Sequence, residues 1–199
     1  MAVAFAAVAL STPVHTLAPI GFGLHYKDAQ GSSALLVALS PVKPTPRLAV
    51  LRSPRRPSDA VPPLVGTMLL HMPARLNLGA SRLLVTAGNR RVYVIPGSAL
   101  ALAVMPDGVF DFVATLPDDL VWLTLEQTAT GTLAVGLARD GVTRVDVEAA
   151  GIEHAATLRR NGFLVDLPGF RARQISSVLV TTKDGRRFRL PLDRKEFTR

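Results

Sequence analysis

The sequence predicts a mainly β protein: an antiparallel β-sandwich or barrel-like region over about residues 80–192, preceded by an irregular, partly helical N-terminal arm. Three observations carry that prediction. Short apolar or alternating runs recur from residue 80 onward, divided by Gly, Pro, Asn and Asp turn signals. Nine of the fifteen prolines fall before residue 67, which argues against a regular unit there. Hydrophobic residues make up 48% of the 199 and charged residues 19%, the balance of a chain with a core to bury.

The arm comes first. Ala2 to Leu10 is a continuous apolar run with the length of an export-signal core, and Thr16-Leu17-Ala18 offers a small-residue cleavage site followed by Pro19. The run is about half the ~20 residues that a membrane-spanning helix needs. A shorter apolar run covers Ala34 to Leu39. Pro46 suits the first turn of a short helix over 46–52, which Ser53-Pro54-Arg55-Arg56-Pro57-Ser58-Asp59 then breaks. Residues 1–66 therefore read as an arm or linker, with an export signal at 1–18.

Strands follow. Arg82–Thr86 and Arg91–Ile95 flank the turn Ala87-Gly88-Asn89-Arg90, and Pro96-Gly97 ends the second. Ala99–Val104 leads to Met105-Pro106-Asp107-Gly108, where proline presets φ and glycine accepts a positive one. Val109–Thr115 and Leu120–Leu125 come next. Thr132–Ala138 is almost wholly apolar and is followed by Arg139-Asp140-Gly141. In Val142-Thr143-Arg144-Val145-Asp146-Val147 the period-two pattern points Val142, Val145 and Val147 inward, with one register slip at Thr143-Arg144. Ile152–Leu158 reads as one strand, Asn161-Gly162 as a turn and Phe163–Leu167 as another strand. Ile175–Thr182 and Arg186–Leu190 flank Lys183-Asp184-Gly185, a strong hairpin signal. The expected organisation is a β-rich subdomain over 67–130, a small sandwich-like subdomain over 131–192, the two meeting near Thr130-Gly131, and a basic tail over 193–199.

Placement of charge is informative. The chain carries +8, with about +4 in residues 41–60 and +4 in 183–199, while 61–182 holds ten charges of each sign. Such flanks attract nucleic acid, anionic lipid or an acidic wall polymer through screened, salt-sensitive forces, or simply keep a surface solvated. Candidate anion-binding residues are Arg52, Arg55, Arg56, Arg186, Arg187 and Arg189. The absence of cysteine excludes disulfides, thiolate metal sites and cysteine nucleophiles.

The order of segments resembles a group of uncharacterised actinobacterial proteins, often exported or membrane-anchored, with no assigned activity. The likeness rests on Leu48-Ala49-Val50-Leu51-Arg52-Ser53-Pro54-Arg55-Arg56-Pro57-Ser58-Asp59, on Ser81 to Val85, and on Val92-Tyr93-Val94-Ile95-Pro96-Gly97. It continues through Val135 to Val145, Arg160-Asn161-Gly162-Phe163 and Lys183-Asp184-Gly185-Arg186, roughly residues 46–190 in all. This chain differs from the group in lacking a central cysteine and a clear N-terminal signal. The resemblance implies an envelope or extracellular location and no particular reaction.

Motifs for chemistry are sparse. No G-x-S-x-G elbow, phosphate loop or dinucleotide fingerprint occurs. His15, His25, His71 and His154 have no joint-ligand spacing, and only His154 lies in the β-rich part, where it could serve a Ser–His–Asp site. Asp107, Asp111, Asp118 and Asp119 could converge on calcium, though capping of turns explains them more simply. Trp122, within an apolar run, reads as a core or edge-strand residue. In Arg186-Arg187-Phe188-Arg189 alternation puts Phe188 opposite Arg187 and Arg189, so the ring reads as structural and the arginines as a basic stripe. These residues predict a noncatalytic, envelope-associated or secreted β-rich binding or structural module, without metal or cofactor. Its expected partner is a cell-envelope protein or an acidic wall polymer. The alternative is binding of an anionic polymer or nucleic acid through the basic flanks, with nucleic acid the less favoured.

Overall fold

The computed structural model describes residues 13–17, 23–26, 48–63, 76–97, 100–106, 109–113 and 120–193; for 23–26 and 109–113 the backbone alone is described. The fold is mainly β, built from open, largely antiparallel sheets, none closed into a barrel. The sandwich alternative holds.

Three sheets stack as layers. The first has the order β1 (Val14–Thr16), β14 (Arg187–Pro191), β13 (Ile175–Thr182), β9 (Val142–Ala149), β10 (Ile152–Ala155). The middle sheet runs β11 (Thr157–Arg159), β12 (Gly162–Pro168), β8 (Gly131–Ala138), β7 (Val121–Gln127), β2 (Gly23–Tyr26). The third is the meander β3 (Arg82–Ala87), β4 (Arg90–Ile95), β5 (Leu100–Met105), β6 (Val109–Val113).

Both faces of the middle sheet are covered, and the apolar run of β8 is the reason. All eight of its residues are buried. Ala134 and Ala138 face the core shared with the first sheet, while Leu133, Val135 and Leu137 face the core shared with the third. Small side chains on one face leave room for Phe163 from the neighbouring β12, whose ring lies where a Cβ on Gly136 would stand. Alternation on β9 works as expected: Val145 and Val147 are buried, and Val142 packs partly against them. The slip at Thr143-Arg144 is a register shift that leaves Thr143 unpaired, since Thr181 opposes Arg144 and Thr182 opposes Val142.

The expected junction near Thr130-Gly131 is the turn of the β7–β8 hairpin, whose strands pair from Val121↔Ala138 to Gln127↔Thr132. Residues on both sides of it share one sheet. The run Ile152–Leu158, read as one strand, is two: β10 belongs to the first sheet and β11 to the middle one. The chain changes layer at Ala156, whose N–H donates to Val145 O. Strands that switch sheets make corners of this kind. At the opposite edges the arm supplies β1 and β2, paired parallel to β14 and β7.

From residue 48 the arm is part of the body. Leu48 and Val50, on either side of the first residue of the one-turn helix α1 (Ala49–Arg52), are buried in the core between the middle and third sheets. Pro46 and the export-signal residues 1–12 lie outside the described residues, and Thr16 and Leu17 of the cleavage site are on or beside β1.

The third sheet presses closely on the middle one at Gly162, where an added Cβ would stand 2.3 Å from Leu84 Cβ. Gly162→Ala should therefore cost about 1–3 kcal/mol of stability through overpacking, read as a lowered urea midpoint at unchanged m. An unaltered midpoint would mean that β3 does not press on β12.

Candidate functional site

Four chain segments meet at one end of the sandwich: α1, the β8–β9 turn with Arg139-Asp140-Gly141, the β11–β12 turn with Arg160-Asn161, and, beside them, the β13–β14 turn at Lys183. The β11–β12 turn has two residues, both at positive φ (46° at Arg160, 67° at Asn161), the geometry of a type I′ hairpin. Asparagine tolerates that conformation; arginine pays for it with roughly 1–2 kcal/mol of Cβ crowding. Side-chain bonds hold it there. Arg160 Nη1 donates to Asp59 Oδ1 at 2.8 Å and Nη2 to Oδ2 at 3.4 Å.

Asp59 is fully buried and accepts further bonds from the Arg56 and Leu83 amides, at 2.8 and 2.9 Å. Burial alone pushes its carboxyl upward. The Arg160 hydrogen bond, the two amides and the Arg160 charge outweigh that and hold it lowered to about 2. Asp140 is the second anchor. It accepts from Ala49 N (2.7 Å), Arg52 Nη2 (2.7 Å) and Asn161 Nδ2 (2.9 Å). Here too burial raises the pKa, and these donors together bring it below the usual carboxylate value. Asn161 completes the clamp, receiving Val50 N on its Oδ1 and donating to Ala138 O.

Between these segments lies a groove of about 590 Å³ lined by Arg52, Arg139, Arg159, Arg160 and Asn161 among others. Its rim continues into the β13–β14 turn, because Lys183 N donates to Gly141 O at 2.7 Å. Gly185, at φ +79°, closes that turn as its sequence predicts.

The six arginines singled out in the sequence do not form one surface. Arg52 is in the groove and ion-paired to Asp140. Arg55 and Arg56 are exposed, and among the described residues no carboxylate pairs with either side chain. Arg186 stacks over the Phe188 ring, 4.9 Å from its centre, while Phe188 packs partly into the core on the face that alternation assigned it. Arg187 and Arg189 project from the outer face of the first sheet, where carboxylates from β9 and β10 meet them. Arg187 bonds Glu153 and approaches Asp146 at 4.0 Å; Arg189 bonds Glu148, which also accepts from Ser177 Oγ at 2.8 Å. Arg144 Nε closes the lattice on Asp146 at 2.8 Å. The Asp146 hydrogen bond, reinforced by its charge, raises the Arg144 pKa. The expected basic stripe is thus a self-neutralised sheet face.

His154 packs edge-on against Phe170, ring centres 5.0 Å apart, and His15 lies 5.8 Å from Phe188. His71, Asp107, Asp118 and Asp119 lie outside the described residues, as do the side chains of His25 and Asp111. Trp122 is half-buried against the core shared with the third sheet. Sequence reasoning missed Arg139, Arg159, Arg160 and Lys183 as members of one surface. They come from three turns that only the sheet topology brings together. Comparison with protein-family models, curated proteins and solved structures finds no match to this chain.

The Asp59 anchor has a measurable pH signature. A folded pKa lowered from 3.8 to about 2 contributes stability that is complete above the unfolded pKa and lost as pH falls through the folded one. Between about pH 5 and pH 2 the protein should lose about 2 kcal/mol from this group. In Asp59→Asn that part of the acid loss should vanish, with stability at pH 7 lower by about 3 kcal/mol because Arg160 loses its buried partner. Parallel pH-stability curves for the two proteins would show that Asp59 is not the titrating anchor.

Proposed function

We propose that this chain is a noncatalytic β-rich binding or structural module of the cell envelope or the secreted fraction. The observation that carries the reading is how its charged side chains are used. Asp59, Asp140, Asp146 and Glu148 each meet at least two donor groups or cations. A general acid or base needs a pKa near working pH and an open path to substrate. Asp59 and Asp140 are instead held as permanent anions that fasten the arm and turns to the sheets. The resemblance of residues 46–190 to often-exported actinobacterial proteins supports the location. The broad sheet faces and edges of the layers supply binding surface.

A second reading, binding of an anionic polymer or nucleic acid through basic surface, is favoured by the arginine-lined groove. It no longer draws on Arg187 and Arg189, which carboxylates already occupy.

Fractionation of the native host, with the mature N-terminus determined by mass spectrometry, tests the first reading. An envelope or extracellular protein beginning near residue 19 supports export. Cleavage there also removes β1, whose Val14–Thr16 backbone pairs with β14, and so bares the β14 edge to a partner strand. An intact N-terminus in the cytosol would overturn the exported reading.

A further inference from the structure

The basic end of the sandwich can be carried further than a general attraction for anions. Four arginines, Arg52, Arg139, Arg159 and Arg160, line one groove together with Asp140, and the buried Asp59 holds Arg160 from behind. Those two carboxylates are anchored by Arg52, Arg160, Asn161 and backbone amides, so both are fixed, Asp140 in the wall and Asp59 in the interior. Arg52 offers one of its donors to Asp140 and remains about half exposed. Arg159 is exposed, with no described carboxylate paired to it, and Lys183 extends the same surface past Gly141. The cations therefore form a track drawn from three adjoining turns, with more positive groups than one bound ion requires.

We propose that this track is a binding site for a linear phosphate polymer lying along the groove and over the β13–β14 turn. Three features select the ligand. Guanidinium forks match phosphate oxygens, and a chain with a charge on every repeat can engage the separated cations at once. Among the described residues no aromatic ring lines the groove, so the stacking platform that single-stranded nucleic acid uses is missing from it. A phosphate chain also carries its charge along its backbone and can be gripped from a rim without side chains entering a pocket. The proposal deepens the binding-module reading. It stands or falls separately from the envelope location, because binding of purified protein is measured without regard to compartment.

The test uses the full chain and three probes: inorganic polyphosphate, a poly(glycerol phosphate) and oligo-dT matched in phosphate number. Binding is measured between about 50 and about 200 mM salt. Both phosphate chains should bind more tightly than oligo-dT, and the tighter of the two identifies the natural source. Arg159→Glu with Lys183→Glu, both at exposed positions, should weaken binding and flatten the slope of log K against log salt by roughly 1.4, two contacts' worth for a single strand. The control is Arg171→Glu with Arg173→Glu, the same charge change beside the opposite end of β8, which should leave the slope unchanged. Thermal melts confirm that both variants are folded. Equal losses in the two variants, tighter binding of oligo-dT, or no binding of either phosphate chain at the lower salt would each overturn the site.

Discussion

The structure depends on a strand that is buried on both faces. A strand with one wet face needs only one set of alternate residues to be apolar, whereas β8 must satisfy two cores at once. It does so with unequal faces. Gly136 and the Ala134 and Ala138 methyls leave space toward the first sheet, and Phe163 fills it; Leu133, Val135 and Leu137 pack against the third sheet. Exchange of large and small residues between the two faces would overfill one core and empty the other, though composition and hydrophobicity would not change. Three layers in so short a chain follow from this economy, because one sheet serves as the floor of two cores.

A middle layer also creates a problem at the ends of its strands, where turns must leave a buried sheet without stranding polar backbone. The clamps at Asp59 and Asp140 solve it with charge. Each carboxylate gathers at least one backbone amide and a guanidinium, and ties together segments distant in sequence: Asp59 joins the 3-10 turn at Pro57–Asp59 to β3 and to Arg160, and Asp140 joins α1 to Asn161. A buried ion pair is weak support on Coulomb energy alone, since desolvation offsets attraction. Its value here is geometric. Arg160 sits at a positive φ that its side chain disfavours, and the paired carboxylate fixes both the turn and the arm that carries Leu48 and Val50 into the core.

Much of this was legible in the sequence, and the limits have physical causes. Period-two alternation located Val145 and Val147, and even the irregularity at Thr143-Arg144, because a bulge interrupts the pattern where the backbone slips. Lys183-Asp184-Gly185 announced its turn. Ile152–Leu158 hid its break, since a strand that changes sheets at Ala156 keeps the same local composition. The proline-rich arm misled differently. Proline forbids regular helix or central strand but does not prevent a few residues such as Leu48 and Val50 from docking into a core. Charge was the least legible. Arg187 and Arg189 looked like a basic stripe because their carboxylate partners, Glu148 and Glu153, lie 41 and 34 residues away.

The same topology that neutralises one surface concentrates charge on another. Across the first sheet, alternation points Arg144, Asp146, Glu148, Arg187 and Arg189 to one face, where the arginines of β14 reach across Ser177, Leu179 and Thr181 of β13 to the carboxylates of β9 and β10. Cross-strand pairing of this kind removes a long-range field. Turns have no such pairing rule. Arg139, Arg159, Arg160 and Lys183 sit at strand ends that the sheet order happens to gather, and Asp140, Asp184 and the buried Asp59 accompany them among the described residues. A sequence whose central 122 residues are neutral overall thus folds into a neutral sheet face and a basic end. Charge position relative to strand ends, and not net charge, decides which surface of such a protein is basic.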